Sequence, residues 1–225
     1  MNQVKILVIS NVSGRLFMKI AVIGANGMIG SRAIAEALAR SVEVDAYSRK
    51  GNNVDGAQGF SLDATDTAEL VKVIDSHDVT IISTAGRDQA EDAMKNLHTN
   101  LIQAAPQGRF IVVGGAGALE NAEGQRFYDA EGFPEEYKSE AVKFGGILDE
   151  YRENAKKLNW TMLAPAFEIA PGIRTGDYKE SKDTPAGNFV SAEDFAVALI
   201  DEALEPQHAR ERFTVASKDE ESAQG

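Results

Sequence analysis

Three glycines stand three residues apart in GANGMIG: Gly24, Gly27 and Gly30. They follow the apolar run KIAVI and lead into MIGSRAIAEALAR, where Ile29, Ala33, Ile34, Ala37 and Leu38 recur on one helical stripe. At a strand-to-helix junction this spacing suits a pyrophosphate. The first glycine permits the tight turn, the second lets the backbone approach the phosphates, and the third lets the helix pack against the strand. The amides of the helix N-terminus and the positive end of its dipole then favour the anion. The chemistry expected of this loop is dinucleotide binding.

Later residues extend the same site. The second strand ends in YSRKG, with Arg49 nineteen residues beyond Gly30. Arg49 there can bind a ribose 2′-phosphate bidentately, and Lys50 adds charge. Asp45, whose carboxylate would instead accept from a ribose 2′-hydroxyl, is the rival, but it stands four residues earlier, within the strand. NADP(H) is therefore expected in preference to NAD(H). Asp63, after a third strand, can accept the adenine amino group. Thr84, Ala85 and Gly86, after a fourth, are small enough to let backbone pass the cofactor's ribose. Both places are strand C-termini, where ligands collect in open α/β sheets.

The elements needed to position these residues alternate regularly. Strands are expected over 19–24, 42–48, 57–63, 79–86, 109–117, 160–165 and 212–216, and helices over 28–40, 67–76, 88–104, 136–157 and 192–204. Continuous apolar runs such as KIAVI and VTII indicate strands buried on both faces of a parallel sheet. Such alternation predicts a doubly wound α/β sheet with right-handed crossovers. One domain over 18–216 accounts for it, followed by a charged tail, 217–225, expected to fray. The run VKILVIS, fourteen residues before MKIAVIG, mimics the first strand but has Ser10, Ser13 and Leu16 where the glycines should be. Residues 1–17 thus read as an extension outside the core, with an edge strand or oligomer contact as the alternative.

Composition narrows the function classes. A formal charge of −12 over 225 residues repels nucleic-acid phosphates and anionic lipid, so neither is an expected partner. There is no cysteine, which removes disulfides, thiolate metal sites and cysteine nucleophiles. His77, His98 and His208 have no ligand-like spacing, and no metal is expected. No apolar run has the roughly 18 residues of a membrane span, and the N-terminus lacks the pattern of a signal peptide. A cytoplasmic setting is expected, as a monomer or small homo-oligomer.

The segments MKIAVIGANGMIGS, YSRKG, LDATD, VVGGAGALE, FPEEYKSEA, WTMLAPA, PGIRTGDY and ARERFTV together resemble the atypical short-chain dehydrogenase/reductases. More narrowly, they resemble the NmrA-like and biliverdin-reductase-B-like branch and its bacterial NADH–flavin reductase-like members. They run from residue 18 to about residue 216. The resemblance implies a Rossmann sheet with a small C-terminal substrate-binding portion. It also implies cofactor contacts at Gly24, Asn26, Gly27, Met28, Ile29, Gly30, Arg49, Asp63, Ala64, Thr84, Ala85 and Gly86. The implied activity is hydride transfer from NADPH to a flavin (FMN or FAD) or a similar planar acceptor such as a quinone. A non-catalytic NADP(H) sensor and a sugar-nucleotide epimerase or dehydratase are the alternatives.

The chain departs from larger relatives that use Tyr-x-x-x-Lys, since Tyr137 is followed four places on by Ala141 and Tyr151 by Ala155. The serine position after the fifth strand holds Gly114 and Gly115. Acid–base handling of an alcohol by that device is not expected. Flavin reduction needs it less, because the protein mainly orients two rings. For the acceptor, the long loop 114–137 and its surroundings supply Gly115, Phe127, Tyr128, Tyr137 and Phe167. Tyr137, Lys138 and Lys143 are the candidate proton donors. The segment between Tyr178 and Phe189 is short against the family pattern, which implies a reduced lid.

Overall fold

The computed structural model describes residues 18–54, 56–84 and 92–225. The reading of residues 1–17 therefore falls outside the described residues. Each apolar run forms a short strand: β1 (Lys19–Ile23), β4 (Val79–Ile82), β5 (Phe110–Val113) and β6 (Trp160–Ala164). With β2 (Glu43–Ser48), β3 (Gln58–Ser61), β8 (Tyr178–Ser181) and β10 (Arg212–Ser217) they build one eight-stranded sheet. Its order is β3-β2-β1-β4-β5-β6-β10-β8, with only β8, paired to β10, antiparallel. This is the Rossmann-type arrangement, which changes direction between β1 and β4.

Alternation along β1 divides the core. Ile20 and Val22 pack with α1 (Met28–Ala39) and α5 (Ala192–Leu204) on one face. Ala21 and Ile23 pack with α2 (Thr67–Ser76), α3 (Ala93–Ala104) and α4 (Glu135–Asn154) on the other. Asp66 caps α2 by accepting from the Glu69 N–H, and Ser191 caps α5 by accepting from the Asp194 N–H. Among the described residues no helix is long and apolar enough to cross a membrane.

Two features differ from expectation. Beyond β6 the chain forms strands that the sequence pattern did not announce: β8 at the sheet edge, and β7 (Glu168–Ala170) paired in parallel with β9 (Phe189–Ser191). They are only three or four residues long, too short to display a period. The tail is also not frayed. Residues Glu220–Gln224 form α6, capped by Asp219, and Ala223 is fully buried. The Glu220 carboxylate accepts from the Asn188 and Phe189 N–H groups at 3.2 Å each, and the Ala223 carbonyl accepts from the Ile173 N–H at 2.8 Å. The charges that suggested a solvated tail instead satisfy backbone donors of the C-terminal portion.

Candidate functional site

At the C-terminal end of β1 the chain turns at Gly24 with φ +87°, a conformation that side chains disfavour. A Cβ there would lie 2.1 Å from the Ser83 carbonyl oxygen, just past β4. On the other side, the Tyr47 carbonyl of β2 accepts both the Gly24 and Ala25 N–H groups, at 3.0 and 3.1 Å. The turn is thus held against both neighbouring strands where the sheet order reverses, the crevice that ligands occupy in such folds. The Gly27 N–H donates to the Gly24 carbonyl at 2.9 Å, and a Cβ on Gly30 would sit 2.2 Å from that same oxygen. Only an unsubstituted third glycine lets α1 approach the turn so closely. Helix α1 begins with no side-chain cap and no acidic residue in its first turn. Asn26, Gly27 and Met28 are exposed, Ile29 is buried, and the uncapped helix start suits an anion.

Arg49 and Lys50 lie exposed just past β2. The Ser61 hydroxyl at the end of β3 donates to the Arg49 carbonyl at 3.0 Å. Asp63 accepts from the Thr65 N–H at 3.0 Å and from the Thr65 hydroxyl at 2.8 Å. Those two bonds, helped by the Arg49 charge, hold its carboxyl below the usual carboxylate range. A basic and an ionised acidic residue therefore stand together beside the glycine turn, with Ala64 buried next to them. Asp45 is excluded from this group. It is buried, paired with Lys19 Nζ at 2.8 Å and 3.2 Å from His77 Nε2, so its carboxylate is engaged with the start of β1 and the end of α2.

Thr84 follows β4. Its Oγ1 is buried and has no hydrogen-bond partner among the described residues. An unpaired buried hydroxyl is costly, and beside the glycine turn it offers a polar contact to a bound nucleotide. Ala85 and Gly86, expected in the same place, lie outside the described residues. The cradle around Gly24 and Gly30, the uncapped helix and the orphaned Thr84 hydroxyl together fit a dinucleotide.

The residues expected on an acceptor side divide. Phe127, after β5, and Phe167, after β6, meet edge to face with ring centroids 4.8 Å apart, and Phe167 is 44% exposed. This pair is the aromatic surface that the structure brings together. Tyr128 is held elsewhere: its hydroxyl accepts from Arg126 Nη1 at 2.8 Å, and its ring lies over Gly145 of α4. Arg126 is itself clamped bidentately by Asp149. No sequence signal linked Arg126 to Asp149, because they stand 23 residues apart in different elements. Gly115 is small because α4 requires it, since a Cβ would meet the Phe144 ring at 2.6 Å. Tyr137 is 59% exposed in the first turn of α4, and Lys138 Nζ lies 3.4 Å from Glu135. Lys143 is half-buried on α4. Tyr151 is a core residue, its hydroxyl 2.9 Å from His98 Nδ1 and its pKa pushed up by burial. His208 stacks on Phe213 and bonds Glu202 through Nδ1 at 2.8 Å. No three His, Asp or Glu side chains among the described residues are grouped to hold a metal ion.

The family described as NAD(P)H-binding matches residues 24–206. YwnB, an uncharacterized protein of Bacillus subtilis, is 34% identical over 215 residues, covering 90% of this chain and all of that protein. The solved structure of a candidate exported protein from Burkholderia pseudomallei superposes with a TM-score of 0.80 at 33% identity, covering 88% of this chain and 99% of that one. A candidate NADH–flavin reductase from Streptococcus pneumoniae superposes with a TM-score of 0.79 at 31% identity, covering 89% of this chain and all of that one.

Proposed function

The chain belongs to the NAD(P)H-binding family, and from that premise we propose that it is a reductase passing hydride from NADPH to a planar acceptor, a flavin or a quinone. The observation that carries this reading is the Phe127–Phe167 pair, standing past β5 and β6 on the ligand-bearing edge of the sheet. A half-buried ring meeting an exposed one there suits a flat ring, which needs orientation more than it needs acid–base help.

When bound, NADPH supplies the hydride. The residues of the chain do the rest. The turn from Gly24 to Gly30 and the start of α1 receive the pyrophosphate. Arg49 and Lys50 receive the 2′-phosphate, Asp63 the adenine amino group, and the Thr84 hydroxyl a polar atom of the nucleoside. Phe127 and Phe167 hold the acceptor ring and shield it from water. In this reading no side chain acts as an internal proton donor, Tyr151 being core, Tyr137 on the outer surface and Lys138 facing Glu135, so the reduced acceptor takes its proton from solvent. Flavins and quinones tolerate that, whereas the keto–alcohol chemistry of an epimerase or dehydratase does not. In this reading the protein works in the cytoplasm as a monomer or small homo-oligomer, with neither nucleic acid nor membrane as partner.

The same absence of a placed donor favours a second reading, a sensor that binds NADP(H) without turnover. Oxidation of NADPH by the purified protein, with and without FMN and against an NADH control, separates the two. FMN-dependent turnover faster with NADPH supports the reductase. NADPH binding without turnover of FMN or a quinone refutes it in favour of the sensor.

A further inference from the structure

Among the described residues one arginine is almost wholly buried. Arg212, the first residue of β10, is 1% exposed. Arginine is rarely so buried unless every donor has work to do. Its Nη1 donates to the Ala118 carbonyl at 2.6 Å, in the turn that follows β5. Its Nε and Nη2 donate to Asp183 Oδ1 at 2.9 and 2.5 Å. The same oxygen accepts from Arg152 Nη2 of α4 at 2.7 Å. The Glu120 carboxylate lies 3.8 Å from Arg212 and 4.0 Å from Arg152, and the Glu120 N–H donates to the Asp183 carbonyl at 2.8 Å. Four segments meet in this cluster: the turn after β5, the short stretch between β8 and β9, α4, and the start of β10.

From the cluster the chain leads directly to the aromatic pair. Glu120 and Arg126 form an antiparallel bridge, and the Phe127 N–H donates to the Leu119 carbonyl at 2.9 Å. Any slack at residues 118–120 therefore passes to Phe127, whose ring must meet Phe167. A guanidinium holds such a junction better than an ammonium, because its planar fork fixes direction as well as charge.

We propose that Arg212, Asp183, Arg152 and Glu120 form a clasp that positions Phe127 against Phe167 and so sets the aromatic wall of the acceptor site. The proposal rests on the acceptor reading given above. These four are positioning residues acting through Phe127. The stretch between Tyr178 and Phe189, short against the family pattern, serves as the tether of the 114–137 loop.

A double-mutant cycle tests it, with FMN and saturating NADPH as the probe and amide hydrogen exchange as a readout that needs no activity. Asp183→Asn is expected to speed exchange of the 118–128 amides about tenfold while leaving those of β1 and α1 unchanged. It should raise the KM for FMN about five- to tenfold and leave NADPH affinity within roughly twofold. Phe127→Leu should raise the KM similarly, and the double variant should match either single one, since both disturb one element. Arg152→Gln, at the exposed edge of the cluster, should act in the same direction more weakly and serves if Asp183→Asn does not fold. Wild-type exchange over 118–128 in these variants, or KM effects that multiply in the double variant, would overturn the clasp. If Phe127→Leu alone leaves the FMN KM unchanged, the aromatic pair is not the acceptor wall. The clasp's functional role then falls with it, whatever the exchange shows.

Discussion

The buried pair between α3 and α4 makes a quantitative demand. His98 of α3 is 1% exposed and bonds the Tyr151 hydroxyl of α4 through Nδ1 at 2.9 Å. Burial pushes its pKa down from 6.5 to about 4. Below pH 6.5 the unfolded chain takes up a proton that the folded chain refuses. The contribution of this group is therefore fully present above pH 6.5 and declines as pH falls toward 4. At about 1.4 kcal/mol per pH unit the loss is about 2 kcal/mol by pH 5 and about 3 kcal/mol by pH 4. Urea unfolding at pH 7 and pH 5, in the wild type and in His98→Gln, isolates the effect. All other groups are common to both proteins and cancel in the comparison. The variant should start lower at pH 7, by about 1–3 kcal/mol for the disrupted buried hydrogen bond. It should then lose about 2 kcal/mol less than the wild type on going to pH 5. Equal losses would mean that His98 is protonated in the folded protein, and the account of the α3–α4 core as a dry, neutral junction would be wrong.

Two further substitutions probe the cofactor side. Arg49→Glu should weaken NADPH binding by about 2 kcal/mol, roughly 30-fold, because a charge-assisted contact becomes a repulsion at an exposed position. NADH affinity should change little, and equal loss of both nucleotides in calorimetric titrations would detach Arg49 from the 2′-phosphate. Gly30→Ala puts a Cβ 2.2 Å from the Gly24 carbonyl oxygen and 3.2 Å from Ala25 Cα. It should cost about 1–3 kcal/mol of stability by overpacking and abolish binding of both nucleotides alike. A variant that keeps wild-type affinity for either one would show that α1 need not approach the turn.

The structure of the candidate cofactor half was legible because its residues act on their own backbone or at their own strand end. Gly24 needs no distant partner to adopt φ +87°, and Gly30 meets a carbonyl only six residues away. Arg49 and Asp63 were found by counting to the ends of β2 and β3. Burial supplied what counting could not, showing Asp45 turned toward Lys19 and His77. The C-terminal portion was less legible. Its strands are too short to show a period, and Glu220 looks like a solvated tail residue until the N–H groups of Asn188 and Phe189 are seen against it.

On the acceptor side the informative pairs are long-range: Phe127 with Phe167, Arg126 with Asp149, and Arg212 with Ala118, 94 residues away. A residue there has its role through a partner that sequence spacing does not name. That explains why Tyr128 and Gly115, chosen by type and place in the loop, turn out to be held by Arg126 and α4 instead. An arginine heading the strand RFTVA was the one available signal, and its meaning depends on Asp183 in a stretch that reads as an ordinary loop. The two halves are thus built by different interactions. In the proposed function the nucleotide is met by local backbone geometry around β1 and α1, the acceptor by side chains converging from β5, β6, α4 and the segment past β8. Substitutions in the 182–188 loop should therefore change which acceptor fits while leaving the nucleotide site intact, because no hydrogen bond described above connects that loop to the glycine turn.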